Sequence, residues 1–226
     1  MQEFLLKLLP NVMEKLPVFY ESIYETLIMV VWSGAISFVL GAILGVMITV
    51  TKRDSILENK IIYQVLDKVI NFFRAIPFII LLAALFALTR AIMGTAIGVR
   101  GAIVPLVFGT VPFFARQIES ALAEVNPGLI EAAQSMGSSP FEIIFRVYLK
   151  ESVAPIARAT TITAISLIGL TAMAGAIGAG GLGDFAIRYG YQRSQEDVTY
   201  VSVIVIVLFV SLIQAIGNLI AKKATH

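Results

Sequence analysis

Residues that commonly perform enzyme chemistry are scarce in this chain of 226 residues. It contains no cysteine, and its single histidine is the terminal His226. A thiol nucleophile, a histidine-based triad and a zinc site made of several histidines or cysteines are therefore excluded. The sequence also lacks a Gly-x-Ser-x-Gly elbow and a GxxxxGK(S/T) phosphate loop. We therefore expect a protein that is not itself an enzyme and holds no cofactor or metal of its own.

A polar segment between two apolar runs carries the clearest local signals. Asn126 is suited to accept a hydrogen bond from the first turn of a helix, and Gly137 suits the left-handed conformation that ends one. Ser139 and Glu142 have the spacing of a capping box, which predicts the start of a second helix. The sequence therefore predicts a helix–glycine–helix hairpin over about residues 126–150.

One surface of this hairpin is suited to contact with another protein. Glu131 is expected to be exposed, and the small side chains of Ala132 and Ala133 leave room for close approach. Met136 adds a flexible apolar contact beside Gly137. These features favour docking into a groove on a partner. From these residues alone, a solvated helical connector with an alanine-rich face is the alternative.

The composition identifies a membrane protein. Hydrophobic residues make up 58% of the chain, the mean hydropathy is +0.89, and charged residues are 14%, against about 25% in soluble domains. Such a chain cannot cover a soluble fold with polar side chains, and it is too apolar to be disordered. The net charge of +2 is too small for a surface that binds nucleic acid. We therefore expect the chain to lie in the lipid bilayer and to bind no nucleic acid.

Five apolar runs predict an all-α, polytopic integral membrane protein, with a single transmembrane domain over residues 1–226. The second and third runs are short, so a re-entrant pair is the alternative to two full spans. The apolar runs themselves, residues 26–51, 75–89, 101–115, 159–177 and 198–221, lie within the predicted spans and contain no Asp, Glu, Lys or Arg, which leaves no group in the bilayer core to carry a proton. The spans are predicted at about 22–51, 72–92, 97–118, 154–179 and 198–221.

Lysine and arginine are unevenly distributed between the loops, which predicts the orientation. With the N-terminus outside, eleven basic residues face the cytoplasm and six face the outside, so we expect a cytoplasmic C-terminus. The inner set is Lys52, Arg53, Lys60, Lys68, Arg74, Arg116, Arg146, Lys150, Arg158, Lys222 and Lys223. The outer set is Lys7, Lys15, Arg90, Arg100, Arg188 and Arg193.

Small residues at four-residue spacing occur in two of the spans. Gly41 and Gly45 lie in the first span, and Ala172 and Ala176 lie in the fourth. This spacing lets helices approach closely. Together with the short chain, it favours a homodimer, although ordinary lipid-facing composition is the alternative.

Glycines near the outer end of the fourth span point to a place where the chain bends. Seven of the 17 glycines lie between residues 169 and 190. We expect a hinge beside a substrate pathway, because a conformational change needs residues that absorb backbone rotation; a glycine-rich loop that caps a helix is the alternative. The predicted hinge residues are Gly175, Gly178, Gly180 and Gly181.

Met173 lies among small residues in the same span, where its flexible side chain is suited to close a narrow pathway. A packed core methionine is the alternative. Prolines such as Pro77 loosen a helical turn and can shape a pathway, or they can be neutral kinks. Met173, Thr171 and Pro77 make up the predicted substrate pathway.

The hairpin resembles the EAA loop of ABC importer permeases. The matching residues are Glu131, Ala132, Ala133, Gly137, Val147 and Leu149, whereas Lys150 stands where the family usually has proline. The stretches 74–82, 172–184 and 188–193 are similar to the methionine-import permease subfamily. The resemblance extends from about Tyr20 to Ile220 and includes all five predicted spans.

This resemblance implies a fold and a division of labour. Such permeases are homodimers of five-span subunits in the bacterial plasma membrane, and a separate extracytoplasmic binding protein delivers the substrate. The hairpin would couple each subunit to one of two cytoplasmic ATP-binding subunits, which hold ATP and Mg. The implied function is import of methionine, as the L- or D-form, or of a similar small amino acid by alternating access. A stand-alone channel or carrier for small solutes is the alternative function.

Overall fold

The computed structural model describes residues 9–224, and every regular element within them is helical. The prediction of an all-α fold is therefore confirmed; Lys7 and His226 lie outside the described residues. The α-helices are α1 (Pro10–Glu14), α2 (Leu16–Thr51), α3 (Lys60–Ala75), α4 (Phe78–Ala84), α5 (Phe86–Met93), α6 (Gly98–Leu122), α7 (Pro127–Ser135), α8 (Pro140–Ile143), α9 (Leu149–Glu151), α10 (Val153–Ala174), α11 (Gly181–Asp184) and α12 (Glu196–Ala224). Turns of π-helix cover Ile144–Tyr148, Gly175–Ala179 and Phe185–Gly190, and a 3-10 turn covers Tyr191–Arg193.

Four helical segments of the described chain are long and apolar enough to cross a bilayer. They are Leu16–Thr51, Gly98–Leu122, Val153–Ala179 and Glu196–Ala224. Several of their buried hydroxyls donate within the helix: Thr26 donates to the carbonyl of Ser22 at 2.9 Å, and Thr163 donates to that of Ala159 at 2.8 Å, whereas the buried hydroxyls of Ser37 and Thr110 have no partner among the described residues. Hydroxyls that donate within the helix leave no unmet donor in apolar surroundings.

The stretch predicted as a span at about 72–92 is not one helix. It comprises the end of α3, then α4 and α5. Ile76 takes an extended conformation, with φ −82° and ψ 123°, because the ring of Pro77 disfavours helical geometry in the residue before it. A second break occurs at Leu85, with φ −87° and ψ 3°. The predicted second span is therefore made of helices broken near Pro77, where a kink was one reading of the sequence, and again at Leu85.

Helix α3 is amphipathic and begins well before the predicted span. Oδ1 of Asn59 caps it by accepting the backbone N–H groups of Ile61 and Ile62, at 3.1 and 3.0 Å. Its apolar residues Tyr63, Leu66 and Ile70 pack with Ile48 and Ala115. Two polar residues of α3, Asp67 and Asn71, lie against one arginine of α6.

That arginine, Arg116, joins α3 to α6. Its guanidinium donates to Asp67, to Asn71 at 3.0 Å and to Glu119 at 2.6 Å. The Arg116 side chain is only 17% exposed, so these acceptors hold a charge that would otherwise be poorly solvated.

The described residues form two compact units. The first comprises residues 9–35, 77–107 and 164–213, and the second comprises residues 36–76, 108–163 and 214–224. Two apolar clusters stabilise the first unit. One is built on Met29, Ala102, Leu106, Leu167, Ala174 and Ala179, and the other on Val12, Phe19, Leu182, Phe185 and Val198.

In the second unit, α2 and α6 pack closely because two glycines provide space. A Cβ on Gly41 would lie 2.8 Å from Cδ1 of Phe114, and one on Gly45 would lie 2.6 Å from Cβ of Ile118. Both distances are too short for a real contact, so alanine at either position would push the helices apart. The spacing of Gly41 and Gly45 therefore serves packing within the chain rather than the interface between subunits that the sequence suggested.

Candidate functional site

Side-chain caps begin both helices of the hairpin, as predicted. Oδ1 of Asn126 accepts the N–H of Gly128 at 2.9 Å at the start of α7. At the start of α8, the N–H of Ser139 donates to Oε2 of Glu142 at 2.9 Å, and the N–H of Glu142 donates to Oγ of Ser139 at 3.3 Å. The backbone N–H of Ser139, with its hydroxyl second, lowers the pKa of Glu142, so this carboxylate stays ionised and keeps the cap formed.

A left-handed glycine ends α7, as predicted. Gly137 has φ +80°, and its N–H donates to the carbonyl of Gln134 at 2.9 Å. The N–H of Ser138 donates to the carbonyl of Ala133 at 3.1 Å, which completes a Schellman motif. A Cβ at Gly137 would meet no atom within 4 Å, so glycine is required by the backbone conformation and not by lack of space.

One side of the hairpin packs onto the core of the second unit. Ala133 is only 5% exposed and lies in a cluster with Phe114, Ile143 and Tyr148. Ile130, three residues earlier and therefore on the same side of α7, packs against this cluster. Ala133 is thus a packing residue and does not offer the open surface expected from the sequence.

The other side of the hairpin is exposed and partly apolar. Glu131 and Ala132 are exposed, and Met136 is 79% exposed. Two aromatic residues that the sequence reasoning missed, Phe141 and Phe145, are 71% and 65% exposed. Their four-residue spacing was a readable signal, because it places both on one face of a helix, away from the buried Ile143. Large apolar side chains with this exposure, together with Glu131, suit a protein contact.

A cleft of about 340 Å³ opens beside Glu131. The basic residues Lys52 and Arg53, from the loop after α2, line it. Gln134 and Tyr148 also line it. The cleft therefore offers charges of both signs next to the exposed surface of the hairpin.

A reversal of the chain, which we call the glycine turn (residues 177–183), follows α10, the helix of the fourth predicted span. The helix stops at Ile177, with φ −113° and ψ 20°. Gly178, Gly180 and Gly181 have φ values of +97°, +83° and +76°. Three of the four predicted hinge glycines therefore form the reversal itself, with a backbone that other residues rarely adopt.

The fourth predicted hinge residue, Gly175, has a different role. A Cβ there would lie 2.6 Å from the N atom of Asp184 and 2.7 Å from the carbonyl oxygen of Gly180. Gly175 therefore lets α11 return close to the end of α10.

Burial raises the pKa of Asp184, which lies in α11, although its ion pair with Arg188, at 3.0 Å, acts in the opposite direction.

The three predicted pathway residues lie in different surroundings. Met173 is 45% exposed. Thr171 is buried, and its hydroxyl donates to the carbonyl of Ile168 at 2.7 Å, so it does not share a surface with Met173. Pro77 is exposed at the break between α3 and α4.

An apolar cavity of about 150 Å³ borders the glycine turn. Its lining includes Leu82, Phe86, Ile97, Ala102, Ala174 and Ile177. No side chain in its lining is charged. A cavity of this size and polarity suits a small uncharged group.

Long apolar helices and an exposed, doubly capped hairpin define a polytopic membrane protein that presents a docking element. Comparison with known proteins refines this class. The family described as the inner membrane component of binding-protein-dependent transport systems matches residues 37–224. This chain belongs to that family.

Individual relatives are similar over nearly their whole lengths. The probable D-methionine transport system permease protein MetI of Vibrio cholerae is 45% identical over 203 residues, 90% of each chain. The methionine import system permease protein MetP of Bacillus subtilis is 45% identical over 216 residues, 96% of each chain. A structure of inward-facing conformations of the MetNI methionine ABC transporter matches with a TM-score of 0.90 and 42% identity, over 92% of this chain and 97% of that one.

Proposed function

We propose that this chain is the transmembrane subunit of an ATP-driven importer that carries methionine, as the L- or D-form, or a similar small amino acid into the cytoplasm. Relatives named for methionine transport support this substrate class. The apolar cavity beside the glycine turn is compatible with an uncharged side chain such as a thioether. The observation that carries the proposal is the hairpin, because its exposed surface needs a partner.

The hairpin is suited to transmit movement from a partner. Its two helices are fixed by side-chain caps and by the Schellman motif, so force applied at its tip reaches the core instead of unwinding the ends. In our proposal, Glu131, Ala132 and Met136 contact an ATP-binding subunit and Gly137 shapes the contact. Ala133 supports this surface from inside, through the cluster that holds Ile143 and Tyr148.

The proposal implies an assembly of several chains. The structural relative is a methionine ABC transporter. By analogy, two copies of this chain would join two cytoplasmic ATP-binding subunits, which hold ATP and Mg. An extracytoplasmic binding protein would deliver the substrate, in keeping with the description of the family. The absence of a phosphate loop in this sequence agrees with nucleotide chemistry on another subunit.

The orientation follows from the positive charges. We propose that the N-terminus is outside and the C-terminus is in the cytoplasm of a bacterial cell, with the hairpin on the cytoplasmic side. The glycine turn then lies towards the outside, at the end of the fourth span. There, Gly178, Gly180 and Gly181 would absorb backbone rotation, and the exposed Met173 would close the pathway.

Reconstitution tests this function directly. The chain would be placed in proteoliposomes with the ATP-binding subunit and the extracytoplasmic binding protein that are encoded in the same genome. Uptake of labelled methionine would then be measured with and without ATP. We expect ATP-dependent uptake that Glu131→Lys abolishes, whereas exposed Glu21→Lys on α2 serves as a charge-matched control and leaves uptake intact. Equal uptake without ATP, unaffected by Glu131→Lys, would instead identify a stand-alone channel or carrier.

A further inference from the structure

Two neighbouring side chains of α2 hold the glycine turn. Oε2 of Glu25 accepts the backbone N–H of Gly181 at 2.7 Å. Oγ1 of Thr26 accepts the backbone N–H of Leu182 at 2.8 Å. The two contacts join residues 156 positions apart in the chain. They occupy the first N–H groups of α11, which have no partner within that short helix.

The hydroxyl of Thr26 is fixed for this purpose. Its single proton is donated to the carbonyl of Ser22 at 2.9 Å, so its lone pairs are free to accept the N–H of Leu182. Thr26 is 3% exposed and Leu182 is 1% exposed, so water does not compete for this bond. A buried N–H that lost this acceptor would remain unsatisfied.

The turn fits against these two residues without spare room. A Cβ on Gly180 would lie 2.5 Å from Oε2 of Glu25. A Cβ on Gly181 would lie 2.7 Å from Oγ1 of Thr26 and 2.8 Å from Cε of Met29. Positive φ values favour glycine at both positions, and at Gly181 the close approach of Thr26 adds a second reason.

A glutamate such as Glu25 is rarely found at the border of an apolar helix. It precedes the apolar run of α2 by one residue, and a carboxylate at the border of a membrane span is costly unless it is paired. Here the charge is used to accept a backbone donor, which gives a stronger hydrogen bond than a neutral acceptor would. Such a bond suits a contact that must persist while the surroundings move.

We propose that Glu25 and Thr26 are positioning residues that hold the glycine turn onto α2, so that a movement of this span carries the turn with it. This inference rests on the proposed transport function. The glycine turn has few backbone restraints of its own, because three of its residues are glycines with positive φ. Without the two acceptors, the turn would no longer follow the span, and ATP hydrolysis would drive less transport.

Amide hydrogen exchange tests the contact itself. In the complete transporter in lipid nanodiscs, exchange of the peptide that contains Gly181 and Leu182 would be compared for the wild type and for Glu25→Ala combined with Thr26→Val. We expect about tenfold faster exchange in the double variant, as follows from losing hydrogen bonds in a buried site. Glu25→Gln combined with Thr26→Ser keeps both acceptor oxygens and loses only the charge, so it should restore most of the protection. Unchanged exchange in the Ala/Val variant would overturn the inference.

The ratio of methionine taken up to ATP hydrolysed tests whether the contact between α2 and the glycine turn is needed for transport. We expect this ratio to fall at least fivefold in the Ala/Val variant and to recover in the Gln/Ser variant, while Glu21→Ala, one turn earlier on α2, leaves it unchanged. A parallel fall of uptake and hydrolysis, or no change in the ratio, would show a structural role only and overturn the inference. If the wild type carries no methionine, the proposed function is wrong, whereas faster exchange in the Ala/Val variant would still support the anchor.

Discussion

Replacement of Gly137 tests the claim that the shape of the hairpin, and not only its side chains, makes the contact with an ATP-binding subunit. Gly137 has φ +80°, and a Cβ there would meet no atom within 4 Å. The cost of Gly137→Ala is therefore backbone strain alone, about 1–2 kcal/mol for a residue with a Cβ in the left-handed region. If the hairpin relieves this strain by changing shape, the affinity for the partner should fall by about 5- to 30-fold.

The assay is a titration of the ATP-binding subunit onto the chain in nanodiscs, with binding followed by fluorescence anisotropy. Gly137→Asn separates strain from steric hindrance, because asparagine tolerates the left-handed region better than alanine but has a larger side chain. Strain predicts that Gly137→Asn binds more tightly than Gly137→Ala, and steric hindrance predicts the reverse order. Ser135→Ala, an exposed change on the last turn of α7, controls for general effects on the helix. Wild-type affinity for Gly137→Ala, or weaker binding for Gly137→Asn than for Gly137→Ala, would refute the reasoning.

Three further predictions concern other parts of the molecule. Ser139 lowers the pKa of Glu142, so the cap is complete above the ordinary pKa of 4.5 and is lost as the pH falls through the lowered pKa of the folded protein. Amide exchange of the hairpin should therefore become faster in acid, and Glu142→Gln should remove this acid dependence when it is compared with wild type at each pH. Arg116→Ala should lower the thermal midpoint by roughly 5 °C, because two partly buried carboxylates lose their cation; an unchanged midpoint would contradict the role of this ion pair. Met173→Ala should leave folding intact and raise methionine leak from loaded proteoliposomes without ATP, and wild-type leak would argue against a gate.

The hairpin could be predicted from the sequence because its determinants are local. The cap at Asn126, the left-handed Gly137 and the capping box of Ser139 with Glu142 each involve residues within a few positions of one another. Local hydrogen bonds of this kind are specified by residue type and spacing alone. The all-α fold could be predicted for a related reason, since the apolar runs are long enough to require helices in a bilayer.

Features that depend on contacts distant in sequence could not be predicted. The burial of Ala133 depends on Phe114 and Tyr148, and nothing near Ala133 in the sequence distinguishes it from the exposed Ala132. The contact of Glu25 with Gly181 joins residues 156 positions apart. Helix propensity and apolar periodicity contain no information on such pairs, because they describe one segment at a time. The start of α2 at Leu16, earlier than the predicted residue 22, was missed because Glu21 interrupts the apolar pattern there.

The central claim is that this membrane chain works only with an ATP-hydrolysing partner held through its hairpin. It is tested most directly by purifying the tagged chain from its native membrane in mild detergent and assaying the eluate for ATP hydrolysis. We predict a co-purifying ATPase in the wild type, and loss of both the partner and the activity in Glu131→Lys. An eluate that contains this chain alone and hydrolyses no ATP, under conditions that keep other membrane complexes intact, would contradict the claim.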